Sequence, residues 1–120
     1  MGEQEKLLGE MNQMWAIYKQ CMPDVAGAYD ELPVEVYKDG VLSGKIKRMM
    51  ALTGALVHGC EACVLFQTEE ALALGATAEE ILEACAVAIS LGGTMGAGET
   101  TRVVQLLEEK GLLEELKRDN

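Results

Sequence analysis

The stretch Gly59-Cys60-Glu61-Ala62-Cys63-Val64-Leu65-Phe66-Gln67-Thr68, followed shortly by Leu74-Gly75-Ala76-Thr77-Ala78-Glu79-Glu80-Ile81, decides how this chain is read. Each half carries the start of a helix. In the second, the Thr77 hydroxyl can accept from the Glu80 amide while the Glu80 carboxylate reaches back to the Thr77 amide, a capping box. In the first, Cys60 opens a helix that continues through Leu65, Phe66, Ala71 and Leu72 to a stop at Gly75. From Ile81 to Leu91 the only polar side chains are Glu83 and Ser90. A helix apolar all round must be enclosed, by its own fold or by neighbouring subunits.

Upstream, Ser43 is a good N-cap for a helix carrying Ile46, Met49, Met50, Ala51, Leu52, Leu56 and Val57, which His58-Gly59 ends. Leu7, Leu8, Met11, Met14, Trp15 and Tyr18 predict a helix over about residues 3–21, stopped by Pro23. Asp24 is the expected cap of a shorter second helix with Val25, Ala28, Tyr29 and Leu32, which Pro33 interrupts or kinks. Asp39-Gly40 marks a turn. Downstream, Gly92-Gly93-Thr94-Met95-Gly96-Ala97-Gly98 is too Gly-rich to be regular. Without a P-loop lysine or a preceding strand, it reads as a helix-to-helix connection with close backbone packing rather than a phosphate cradle. A last helix follows from about Glu99 with Val103, Val104, Leu106 and Leu107, and Gly111 breaks or bends it before residues 112–116. The expectation is an all-α bundle of about six helices in one domain over residues 1–120.

Composition agrees. Hydrophobic residues make up 49% of the chain, yet there are only one Trp, three Tyr and one Phe. Ala, Leu, Val and Met supply the apolar bulk, which suits helix-on-helix packing. A domain of this length buries only about two thirds of its unfolded surface, so contacts between subunits are expected to complete the core. The formal net charge of −10 opposes binding to nucleic acid or to anionic membranes. No uninterrupted apolar run approaches the ~20 residues of a membrane span, and Met1-Gly2-Glu3-Gln4-Glu5-Lys6 is unlike a signal peptide. A cytoplasmic protein is expected.

Of four cysteines, Cys60 and Cys63 form a Cys-x-x-Cys pair at a helix start. There the unpaired amides and the positive dipole end favour a thiolate, and the three-residue offset brings the second sulfur within bridging reach. The same spacing also occurs in zinc sites. Cys21 and Cys85 stand singly on apolar helices and read as core residues. His58, the only histidine, is a secondary candidate as a base, but reads first as a helix-terminal residue satisfied by solvent or by the last carbonyls. Cys60, Cys63 and His58 are too close in sequence for a good tetrahedron, so no metal is expected. The seven methionines read as core and interface filler, and the paired glutamates as solvated helix faces.

From Leu42 to Gly93, the run of these motifs resembles the carboxymuconolactone decarboxylase / alkylhydroperoxidase D-like family. The resemblance covers about residues 33–107, and Gly-Cys-x-x-Cys followed by Leu-Gly-Ala-Thr-x-Glu-Glu-Ile carries it. It implies an all-α fold with a helical hairpin core and obligate homo-oligomers such as trimers or hexamers. In members with the full motif it implies thiol-dependent peroxide reduction. That motif is Glu, eleven residues, Cys-x-x-Cys, three residues, His. The second cysteine is primed through the histidine and glutamate, and the first resolves the product as a disulfide.

At the glutamate's place this chain has Arg48, and at the histidine's place Gln67. A glutamine amide cannot shuttle a proton near neutral pH, and losing a positioned acid/base removes about 10²–10⁴-fold of rate. Arg48 would instead stabilise a thiolate by charge. The reading is a thiol-disulfide oxidoreductase or weak peroxidase: Cys63 as attacking thiolate, Cys60 as its partner, Arg48 as stabiliser and Gln67 as a neutral donor. It would need no cofactor, exchange electrons with a dithiol protein and act on a small peroxide or disulfide. A non-catalytic oligomeric binding protein is the alternative, and a lactone decarboxylase the third.

Overall fold

Side-chain chemistry at a few positions sets where each helix begins. The computed structural model of the chain describes residues 2–118, and among these it has five helices and no strand. They are α1 (Glu3–Cys21), α2 (Pro23–Val36), α3 (Gly44–His58), α4 (Glu61–Ala73) and α5 (Ala78–Glu109). Ser43 caps α3 by accepting from the Ile46 amide at 3.1 Å. At the start of α5, Thr77 Oγ1 accepts from the Glu80 amide at 3.1 Å and Glu80 Oε1 from the Thr77 amide at 2.9 Å, completing the expected capping box. Gly75 (φ +93°) ends α4 as expected, because this left-handed turn carries the chain directly into the Thr77 cap.

The second helix departs from expectation at both ends. Pro23, not Asp24, opens α2, because its fixed φ and missing N–H suit the first helical position. Pro33 does not stop it, and the helix runs on to Val36. Tyr37 closes it by donating its amide to the Pro33 carbonyl at 2.9 Å.

α3 packs against both α4 and α5. Leu52 and Leu56 from α3, Val64 and Ala71 from α4, and Ile81, Cys85, Ala88, Val103 and Leu107 from α5 form the main core. Each large side chain so buried is worth about 1.5–3 kcal/mol, so this cluster dominates the placement of α4. A smaller cluster of Leu8, Leu65 and Leu106 seats α1. The α1 N-terminus has no side-chain cap of its own. Glu109, at the end of α5, supplies one: its carboxylate accepts from the Gln4 amide at 2.9 Å and the Glu5 amide at 3.2 Å. Lys110 adds a clamp, with Nζ 2.8 Å from Glu69 on α4 and 3.4 Å from Glu5 on α1.

The glycine-rich segment is more regular than expected. Only Gly93 (φ 57°, ψ −132°) leaves helical geometry, so a one-residue break divides α5 into limbs 78–92 and 94–109, and the irregular segment expected over 92–98 does not exist. The close backbone packing does. A Cβ at Gly96 would stand 2.7 Å from the Ala88 carbonyl oxygen, although eight residues of straight helix would separate them by about 12 Å. The second limb therefore doubles back sharply over the first: the expected helix-to-helix connection is present but shrinks to Gly93, and α5 holds as two limbs what was expected as two separate helices. By length and composition α5 is the one helix among the described residues apolar enough to cross a membrane. The break at Gly93 leaves neither limb at the ~20 residues a span needs.

The enclosure expected for residues 81–91 is half complete within one chain. Ile81, Cys85 and Ala88 are fully packed, whereas Val87, Ile89 and Leu91 are exposed, Leu91 at 71%. α2 packs on α1 alone among the helices and buries only Ala26, leaving Val25, Tyr29, Leu32 and Val34 open.

Gly96→Ala places a methyl group against the Ala88 backbone, which cannot yield as a flexible side chain would; a loss of about 1–3 kcal/mol is expected in chemical denaturation, and an unchanged midpoint would contradict the close approach. The Thr77 amide, and then Lys45, hold the Glu80 carboxyl below its usual value. A lowered folded pKa gives stabilisation that is complete above the unfolded value and lost as pH falls through the folded one. Glu80→Gln should therefore flatten the acid limb of the stability profile below about pH 5, and identical limbs in both proteins would refute the linkage.

Candidate functional site

The site begins where α3 ends. Gly59 takes the left-handed conformation (φ 83°), which a side chain rarely adopts, and turns the chain so that Cys60 becomes the N-cap of α4. The Cys60 sulfur accepts from the Cys63 amide at 3.2 Å. It thus occupies the place that a serine or aspartate oxygen fills at other helix starts. Cys60 and Cys63 form a disulfide, with their Cα atoms 5.2 Å apart, inside the range that a bridge requires. Cys63 is exposed and Cys60 half-buried. The two positions singled out in the sequence are therefore joined at a solvent-accessible helix mouth.

Arg48 and Gln67 are also brought together. Arg48 Nη1 donates to Gln67 Oε1 at 3.1 Å, bridging α3 to α4 one turn beyond Cys63. Because a guanidinium can only donate, it engages the amide oxygen and leaves Gln67 Nε2 as a donor. Arg48 is heavily engaged. Its guanidinium stacks 3.7 Å from the centre of the Tyr37 ring, with Phe66 at 5.7 Å, and Nη2 is 3.9 Å from Glu70. Its side chain is only 12% exposed, so this charge is held between rings rather than presented to solvent. His58, the last residue of α3, is exposed.

Two neighbours of the dithiol were not legible in the sequence. Glu61, between the cysteines, accepts from Arg102 Nη1 at 3.0 Å, and Arg102 Nε lies 3.4 Å from Glu99 Oε2. Arg102 sits on the second limb of α5, 41 residues away, and only the fold-back at Gly93 signals such a pairing. Met95, on the same limb, also borders the site, since a Cβ at Gly59 would stand 3.3 Å from its sulfur. The other pair of cysteines divides. Cys85 is buried, as expected, and burial pushes its thiol pKa up. Cys21 is exposed, contrary to its reading as a core residue, because α2 covers little of α1 at that end.

Residues 23–106 match the profile of the carboxymuconolactone decarboxylase family. An uncharacterised protein of Cupriavidus necator is 34% identical over 90 residues, spanning 75% of this chain and 80% of its own length. A carboxymuconolactone decarboxylase family protein of Legionella pneumophila superposes with a TM-score of 0.84 at 25% identity, covering 89% of this chain and 96% of that one. A Thermotoga maritima member, for which involvement in an antioxidative response has been suggested, gives 0.78 at 27% identity over 90% and 92% of the two chains. With the helical hairpin of α3 and α4, the dithiol at its turn and a family match over most of its length, this chain belongs to the carboxymuconolactone decarboxylase family.

Proposed function

We propose that the chain is a thiol-disulfide oxidoreductase or weak peroxidase working through Cys60 and Cys63. The observation that supports this most directly is the bridged pair at the start of α4, with the exposed sulfur on Cys63 and the capping sulfur on Cys60. An incoming thiolate reaches Cys63 more easily. As the S–S bond breaks, its electron pair passes to Cys60, where the Cys63 amide and the positive end of α4 stabilise the leaving thiolate. The second thiol of a dithiol partner then displaces Cys63 and closes the partner's own disulfide. Two electrons and two protons have moved to this chain.

In the other direction, the Cys63 thiolate attacks a peroxide oxygen, the O–O bond breaks and the departing alkoxide takes a proton. The resulting sulfenic acid on Cys63 is attacked by the Cys60 thiolate, which expels water and restores the bridge. The suggested antioxidative role of the Thermotoga relative is consistent with this direction. Gln67 and Arg48 offer hydrogen bonds and charge but no proton shuttle, so peroxide turnover by this route is slow. No organic cofactor is required.

The exposed apolar faces on α1, α2 and α5 support a homo-oligomer, a trimer or hexamer by family resemblance. The closed Arg48–Gln67 pair also favours a second reading, a binding protein that keeps the scaffold without turnover.

Cys63→Ser should abolish both peroxide and disulfide consumption, whereas native protein should consume one of them and form the Cys60–Cys63 bridge reversibly. Inert thiols in the folded native protein would leave only the binding reading. Arg48→Met removes the ring stack and unpairs Gln67, with an expected stability loss of about 1–3 kcal/mol at fixed protein concentration. It should also raise the pH at which Cys63 becomes reactive. An unchanged pH dependence would remove Arg48 from the mechanism while leaving the dithiol in place.

A further inference from the structure

Glu61 poses an electrostatic problem for any chemistry of the Cys60/Cys63 pair. In the first turn of α4 a carboxylate favours the helix, yet a negative charge between two cysteines opposes ionisation of either thiol. We propose that Arg102 is a positioning residue for the dithiol: by holding the Glu61 carboxylate on α5 and neutralising it, Arg102 lets a thiolate form at the helix start. This rests on the redox reading above and assigns control of the pair to a residue outside the family's usual motif positions.

The charges facing the dithiol can be taken element by element. α4 contributes Glu61. The second limb of α5 contributes Arg102, bonded to Glu61 at 3.0 Å, and Glu99, whose Oε2 lies 3.4 Å from Arg102 Nε and is buried without a hydrogen bond. Arg102 is thus the shared counter-ion of two carboxylates. α3 contributes His58 at its end and Arg48, which reaches α4 one turn further on through Gln67 and is already opposed by Glu70. Of the two guanidinium groups near the site, only that of Arg102 bonds a residue inside the Cys-x-x-Cys segment. Its approach depends on the sharp turn at Gly93, which lays the second limb along the Gly59–Cys60 turn, where Met95 also makes contact.

The test is the pH dependence of alkylation of Cys60 and Cys63 in the fully reduced native chain, read by mass spectrometry so that Cys21 does not interfere. Arg102→Met should raise the midpoint by about half a pH unit or more, Arg102→Lys should recover part of that shift, and Glu61→Gln should lower the midpoint. With Gln at position 61, Arg102→Met should shift the midpoint much less than in the native background. No shift in Arg102→Met, or the same shift in both backgrounds, would overturn the proposal. Should Arg102→Met fail to fold, Glu61→Gln decides alone, since a midpoint that stays or rises refutes the inference. Peroxide and disulfide consumption by the native chain separates the two readings: consumption with an unmoved midpoint sinks only the role of Arg102, whereas inert thiols with shifted midpoints sink only the redox function.

Discussion

The left-handed turn at Gly59 is the constraint on which the arrangement depends. It ends α3 with its amide donated to the Ala55 carbonyl at 2.9 Å and delivers the next residue, Cys60, in the extended conformation that an N-cap requires. Because α3 and α4 are locked by Leu52, Leu56, Val64 and Ala71, the mouth of α4 cannot rotate away from its position beside α5. A sulfur therefore stands where the helix has its unsatisfied amides, and the chemistry of the pair is a property of the hairpin rather than of a flexible loop.

Around that turn the two arginines do different work. Arg48 joins α3 to α4 through a ring stack and an amide, mostly shielded from water, and its contribution is as much to packing as to charge. Arg102 is more open, shares itself between two carboxylates and touches the dithiol segment itself. In relatives with a carboxylate and an imidazole at the motif positions, protons can be relayed. Here Arg48 and Gln67 stand at those positions, a permanent cation and a neutral amide, neither of which takes up or releases a proton near neutral pH, while the carboxylates of Glu61, Glu70 and Glu99 lie paired with arginines.

Much of this was legible in the residues themselves. Ser43, Gly75 and the Thr77/Glu80 box announced three helix boundaries, because capping depends on side chains within three or four residues of one another. The Cys60/Cys63 pair was visible for the same reason. Pro33 was expected to interrupt or kink the second helix, yet α2 runs on past it to Val36. The glycine run misled because seven residues suggested a loop, while the fold needed freedom at Gly93 and space at Gly96. Arg102 with Glu61, Arg48 over Tyr37 and Glu109 on α1 were out of reach, since each joins partners whose approach is fixed only by tertiary packing.

The capping of α1 by Glu109 bears on the order in which the molecule assembles. The amides of Gln4 and Glu5 wait for a carboxylate more than a hundred residues downstream, and Leu8 waits for Leu106. At roughly 5–20 residues per second of synthesis, the first helix leaves the ribosome about 5–20 s before its dock exists. During that interval Trp15 already has Tyr18 and Tyr29 to rest on, whereas Leu8 and the amides of Gln4 and Glu5 stay open to water, so the docking of the first helix is the step that closes the fold.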